Sequence, residues 1–326
     1  MSQFVRYFVR RVIQALPVLT LVVLGNFVLL KTIPGDLADV VAGENGAASE
    51  AYMAMLRAQY GLDQSNLLQL AAYLGQILRF DLGYSFRHSM PVSELILARV
   101  PATLLLIGTS ILIAVLGGLI FGALSARYRG RLIDHAIAVV SSVLFATPVF
   151  WTGLMAIVLF AVQLRWLPMG GMSTVGAQGG AWSSFTDVLS HLLLPAVTLS
   201  LSYLAVYSRV TRAAMNEVYE LDFVRTARAK GISERRVAIR HVLRNALLPI
   251  VTLSGLQLGS VLGGAIVVET VFSWPGMGRL AFEAISDRDI NLLLSLFLCN
   301  SLLVIVASLI VDLTYALLDP RIEVTA

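Results

Sequence analysis

Of the 326 residues, 57% are apolar and only 13% are charged, against ~25% charged in an ordinary soluble domain. That composition excludes a soluble globular enzyme and a disordered chain, and it leaves a polytopic membrane protein. The single cysteine, Cys299, rules out an internal disulfide and a cysteine-based zinc site, and His88, His135, His191 and His241 are too scattered to suggest a metal.

A helix needs ~20 mostly apolar residues to cross the hydrocarbon core, so stretches free of Asp, Glu, Lys and Arg mark the crossings. Six qualify: 12–30, 100–126, 135–164, 188–208, 245–268 and 290–311. A seventh stretch, 166–186, holds five glycines with Ser and Thr and reads as a loop, because glycine is a poor helix former. The expected fold class is an all-α integral membrane protein with six transmembrane helices.

In chain order, 1–31 make an N-terminal tail and the first crossing. Its apolar run of 19 residues exceeds the ~7–15 of a cleavable signal, and no small-x-small site follows, so it reads as an uncleaved span. Residues 32–99 form a 68-residue segment expected outside the cytoplasm. Within it, Ala51–Tyr60 and Leu67–Phe80 show apolar residues at three- and four-residue intervals. Two readings stay open there: a small external cap of short helices, or a helix lying on the bilayer. Residues 100–326 carry the remaining five crossings. Their loop 165–187 has Trp166 and Trp182 near its ends, as expected of interfacial aromatics.

Residues 209–244 form the one long loop on the basic side: 36 residues with nine basic and four acidic side chains, no proline and a single glycine. Val218, Leu221, Val224 and Ala227 follow helical spacing, and the pattern stops at Gly231, a common helix terminator. Ser233 is placed to cap a second helix that runs through Arg244 towards Pro249. The loop therefore reads as helix, glycine turn, helix, with an apolar ridge and a basic rim. Either the ridge inserts into a groove on a partner, or it packs on the chain's own spans. A DNA-reading role is disfavoured by location, and no nucleic acid is expected.

Arg and Lys set orientation. With both termini in the cytoplasm, 16 of 24 basic residues fall on that side and 12 of 20 acidic residues fall outside. The net charge of +4 is thus a consequence of topology.

The loop resembles the coupling segment of binding-protein-dependent ABC importer permeases. The general family has Glu-Ala-Ala, three residues, then Gly; here the positions read Arg225-Thr226-Ala227-Arg228-Ala229-Lys230-Gly231, which is similar to the peptide/nickel subfamily. Further resemblance lies in Ile33-Pro34-Gly35-Asp36, Tyr60-Gly61-Leu62-Asp63, Asp81-Leu82-Gly83-Tyr84-Ser85, Arg99-Val100-Pro101-Ala102-Thr103-Leu104 and Ala146-Thr147-Pro148-Val149-Phe150. It continues in Trp166-Leu167-Pro168, Leu248-Pro249, Glu269-Thr270-Val271-Phe272-Ser273-Trp274-Pro275-Gly276 and Leu317-Leu318-Asp319-Pro320-Arg321. In this order they resemble a B-type permease subunit of a dipeptide or oligopeptide importer in the bacterial inner membrane. The resemblance implies a second, C-type permease chain, two ATP-binding subunits that carry ATP and Mg, and an extracytoplasmic solute-binding protein. It also makes 225–231, with Arg235 and Arg236, the ATPase-coupling loop.

Chemistry within the chain is sparse. Its two lysines, Lys31 and Lys230, follow Leu30 and Ala229, so no Gly-Lys-Ser/Thr phosphate loop is present, and an ATPase would be a separate chain. No cofactor or metal is expected in this chain. An ion-coupled secondary transporter, the alternative, would place ionisable groups near the bilayer centre, where the spans have almost none. A membrane enzyme would need a polar cluster; Ser85-Phe86-Arg87-His88 and Asp134-His135 lack a nucleophile, base and orienter in sequence. In span five, Gly255, Gly259 and Gly263 share a face. They mark either a seam against a second permease half or packing inside this subunit. Ser254, Gln257 and Ser260 lie near that face and serve either the pathway or interhelical hydrogen bonds. Asp312 in span six needs a partner, for which Arg209 or Arg212 are the candidates.

Overall fold

The computed structural model describes residues 3–32, 49–59, 63–176 and 180–318. The motif residues Ile33–Asp36, Tyr60–Leu62 and Asp319–Arg321 lie outside these, as do the side chains of Ser260 and Asp312. The regular structure is helical apart from one short hairpin among the described residues, and the chain forms two compact units, 1–98 with 281–305 and 99–280 with 306–326.

In the first unit, α1 (Gln3–Thr32) is followed by α2 (Glu50–Gln59) and α3 (Asn66–Leu78). The short strands β1 (Tyr84–Ser85) and β2 (Met90–Pro91) pair antiparallel, Tyr84 opposite Pro91. Asn26 of α1 donates to the carbonyl of Leu294 at 3.0 Å, a buried polar tie between apolar helices. Ser85, fully buried, donates to Asp289 at 2.5 Å and lies 3.1 Å from Nδ1 of His88. Asp289 also accepts from the N–H of Leu292. The carboxylate thus holds the serine and a helix start, not the histidine, so these three residues do not form a catalytic relay.

The second unit holds most of α4 (Val92–Arg127), then α5 (Leu132–Ala146), α6 (Val149–Ala156, continuing in π-helical form to Gln163) and α7 (Ala181–Tyr219). After α7 come α8 (Asp222–Ala229), α9 (Glu234–Arg236, continuing as a π-helical stretch to Leu243) and α10 (Arg244–Val271). Helices α11 (Met277–Ser286) and α12 (Ile290–Leu318) are the last described elements. Among the described residues, five helices are long and apolar enough to cross a membrane, or six if α5 and α6 together count as one crossing.

The stretch 135–164, read from the sequence as one crossing, is divided between these two helices. The axes of α5 and α6 differ by 103°. Thr147 is extended (ψ 129°), as a residue before proline prefers, and Pro148 has no N–H to continue the ladder.

The helices of this unit approach closely where glycines allow it. A Cβ on Gly122 of α4 would lie 2.5 Å from Cβ of Thr211 and 2.6 Å from the carbonyl oxygen of Ser208 on α7; one on Gly117 would lie 2.6 Å from Leu204. Gly118 faces Tyr207 the same way. Farther along these helices Leu106, Leu199, Val268, Phe272 and Trp274 belong to a buried apolar cluster, and the Trp274 indole donates to the carbonyl of Ala102 at 2.9 Å.

Candidate functional site: a two-helix loop seated on the spanning helices

Helix α7 ends at Tyr219, and α8 starts three residues on with Asp222 in its first turn. The spacing Val218-Leu221-Val224-Ala227 is therefore not one continuous helix: Leu221 sits in the extended link at ψ 146° and is exposed. Val224 and Ala227 are buried against Val218, Met215 and Ala214 of α7, Ala126 of α4, and Val237, Val242 and Ala246 beyond the turn. The apolar ridge thus packs on the ends of this chain's own long helices. What α8 leaves uncovered is a polar and basic face with Asp222, Phe223, Arg225, Thr226, Ala229 and Lys230.

The turn is a Schellman motif. The Gly231 N–H donates to the carbonyl of Arg228 at 2.9 Å, and the Ile232 N–H reaches the carbonyl of Ala227 at 3.3 Å. Those two bonds close the helix only if the residue between them is left-handed, and Gly231 has φ +75°. Ser233 follows at the N-cap position, but its side chain makes no capping bond; its carbonyl accepts the N–H groups of Arg236 and Val237 instead. Across the turn, Arg228 grips Glu234 with two parallel contacts of 2.8 and 3.2 Å and lies 5.4 Å from the Tyr219 ring. The Glu234 carboxylate raises the Arg228 pKa further above its ordinary value. Arg235 and Arg236 are exposed beside this pair.

Other expected residues fall as follows. Ser254 accepts an interhelical bond from the Tyr207 hydroxyl at 3.1 Å and donates within its own helix to the carbonyl of Ile250. Gln257 and Gly255 are half-buried. A Cβ on Gly259 or Gly263 would meet nothing within 4 Å among the described residues. Among the described residues, Gly117, Gly118 and Gly122 are instead glycines at which two helices of this subunit approach closely. Arg209 stacks 4.6 Å over the Phe145 ring.

Arg212, a candidate partner of Asp312, is held by a different carboxylate. Asp134, 2% exposed, accepts from Nη2 of Arg212 at 2.8 Å and from the N–H of Gly130 at 2.9 Å, and it takes the hydroxyl of Ser125 as well. Nε of Arg212 lies 2.8 Å from the same carboxylate but out of hydrogen-bond alignment. This cluster ties the α4–α5 turn to α7 two turns above the loop. A second buried carboxylate, Glu269, accepts from Thr103 at 2.7 Å and from the N–H of Arg279 at 3.0 Å. It thereby joins α10 to α4 and to the first turn of α11. Spacing alone reveals neither cluster: Asp134 and Arg212 stand 78 positions apart, and Thr103 and Glu269 stand 166 apart.

Residues 118–324 match the family described as the inner membrane component of binding-protein-dependent transport systems. The chain belongs to that family. Residues 4–107 match the N-terminal part of such membrane components, so the two matches together take in the helices on both sides of the hairpin. Among relatives, the oligopeptide transport system permease protein AppB of Bacillus subtilis is 39% identical over 97% of this chain and 99% of its own length. The di/tripeptide transport system permease protein DppB of Pseudomonas aeruginosa is likewise 39% identical, over 97% and 98%. A chain of the inward-facing MetNI methionine ABC transporter has a similar fold, with TM-score 0.54 and 15% identity over 70% of this chain and 97% of that one. In this family member the loop 220–243 packs its apolar side on the ends of three long helices, α4, α7 and α10, and leaves a basic face uncovered.

Proposed function

We propose that this chain is the B-type permease subunit of an ATP-binding-cassette importer that carries peptides or peptide-like solutes into the bacterial cytoplasm. The observation that carries the reading is the loop: a rigid helix–turn–helix with its apolar side locked into the chain and its basic side uncovered. Chain-long similarity to oligopeptide and di/tripeptide permeases supports peptides as the solute class.

In this reading the chain crosses the membrane six times with both termini in the cytoplasm, α5 and α6 making one broken crossing. It pairs with a C-type permease, with Gly255, Gly259 and Gly263 on the seam and Ser254, Gln257 and Ser260 beside the pathway. Two ATP-binding subunits hold ATP and Mg, and a solute-binding protein delivers the cargo from outside. The residues 225–231, with Arg235 and Arg236, receive the ATPase movement. Because Val224 and Ala227 share one apolar cluster with the ends of α4 and α7 and the segment leading into α10, a push on α8 moves those ends as one body. Interiors this closely packed transmit displacement with little compression. Asp134 and Arg212 extend that body to α5.

Co-purification with a tagged chain tests the reading. ATP-binding and solute-binding chains in the complex, with ATP-dependent peptide uptake in proteoliposomes, are the expected result. A lone homo-oligomer that transports on an ion gradient would favour the secondary-transporter alternative.

A further inference from the structure

Helix α3 contains no charged residue in its 13 positions. At 1.5 Å per residue it is ~20 Å long, short of the ~30 Å hydrocarbon core, so it is not a further crossing. One side rests on α1: the Tyr73 ring lies 6.1 Å from Phe27, and the Gln69 side chain accepts from Lys31. The other side is covered by nothing in the described chain. Leu67 and Leu78 are 79% and 80% exposed, Leu74 is exposed between them, and no residue of the helix is buried. Leu67, Leu74 and Leu78 recur at intervals of seven and four, which places them on one stripe, with Gln69 and Gln76 on the opposite edge.

The place of attachment identifies what covers that stripe. Phe27 and Lys31 stand in the last turns of the apolar stretch Val9–Thr32, where α1 leaves the hydrocarbon. Lys31 there lies 5.9 Å from the Phe27 ring, with its stem along apolar surface and its charge at the level where a lysine reaches the headgroups. A helix pinned to that level, too short to span, with a row of uncovered leucines opposite the polar Gln69 and Gln76, has the geometry of an interfacial helix.

We propose that α3 is an in-plane membrane anchor, with Leu67, Leu74 and Leu78 inserted ~5–10 Å into the headgroup–acyl boundary. The occupant of the stripe is lipid, not another protein chain. The anchor fixes the tilt and depth of α1 from the side.

The test uses the full-length chain carrying Cys299→Ala, with single cysteines at Leu74, Leu78 or Gln76 labelled with an environment-sensitive dye. The protein is reconstituted in phosphatidylethanolamine–phosphatidylglycerol vesicles. Dyes at Leu74 and Leu78 should be quenched several-fold more by lipid bearing a nitroxide near the headgroup than by aqueous iodide, with the order reversed at Gln76. Equal iodide quenching at all three sites would make α3 part of a water-exposed cap and overturn the proposal. Protection of Leu74 and Leu78 from both quenchers would put a protein chain on the stripe and overturn it equally. As a check on the unsubstituted protein, a photoactivatable phospholipid should crosslink within 66–78; its absence there would also count against the anchor.

Discussion

The two sets of glycines predict opposite responses to the same substitution. Gly122→Ala places a methyl group 2.5 Å from Cβ of Thr211 and 2.6 Å from the backbone oxygen of Ser208, where ordinary contact begins at 3.4 Å. The helices must therefore separate by about 0.8–0.9 Å, the difference between those distances. Backbone cannot swing aside as a side chain does, and forced overpacking of this kind costs ~1–3 kcal/mol. Gly263→Ala meets nothing within 4 Å, and alanine gains ~0.5–1 kcal/mol over glycine inside a helix. The isolated chain should therefore be unchanged or slightly stabilised by it. Cys299, the sole cysteine and only partly exposed, makes the assay simple: a thiol-reactive fluorophore reports unfolding in detergent as temperature rises. Gly122→Ala should lower the midpoint by several degrees, whereas Gly263→Ala should leave it in place and reduce recovery of the second permease chain on co-purification. A Gly122→Ala protein that melts like the wild type would refute the close-packed α4–α7 seam.

Further outcomes follow from the two buried carboxylates and from orientation. Asp134→Ala leaves the buried Ser125 hydroxyl without its acceptor, worth ~1–3 kcal/mol, and frees the Gly130 N–H in an exposed turn. Arg212 is partly exposed and recovers some solvation, so a net loss of ~1–3 kcal/mol is expected, read as lower folded yield and an earlier thiol-labelling transition. Glu269→Ala frees the start of α11 from α10, and Gly276→Ala should mimic it, since a Cβ there collides with the Glu269 carboxyl group; both should expose the Met277 region to limited proteolysis, and normal resistance in either would contradict the role of Glu269 in joining α10 to α11. Reporter fusions at Arg131, near Arg228 and at the C-terminus should read as cytoplasmic, and those near Asn45, Ala177 and Asp287 as external. An external reading at Arg228 would remove the loop from any ATPase.

Charge gaps located the long apolar helices because a membrane span is, first, a length of chain without ionised groups. They were blind to the break at Thr147-Pro148, since a kinked stretch and a straight one have the same composition; the proline itself was the available signal. Glycine spacing identified Gly259 and Gly263 as a face but not which way it looks. The run Gly117-Gly118 followed by Gly122 carries the same signature and proves to be the internal seam. Helical spacing through Val218, Leu221, Val224 and Ala227 concealed the link at Leu221. The Gly231 turn was legible because its conformational demand is local, whereas the pairing of Asp134 with Arg212 depends on how α5 and α7 pack, which no local pattern encodes.

The account rests on the loop as the transmitting element, and Gly231→Val in the reconstituted importer tests that most directly. A β-branched residue at φ +75° opposes the turn by at least ~1–2 kcal/mol, yet it has open space around it, so the spans should insert at normal abundance. Measured together, peptide uptake and ATP hydrolysis stimulated by the solute-binding protein should fall apart: uptake is lost while hydrolysis persists, or docking and hydrolysis are both weakened. Uptake and stimulated hydrolysis at wild-type ratio and rate would contradict the account and leave the loop as a basic anchor on the cytoplasmic face.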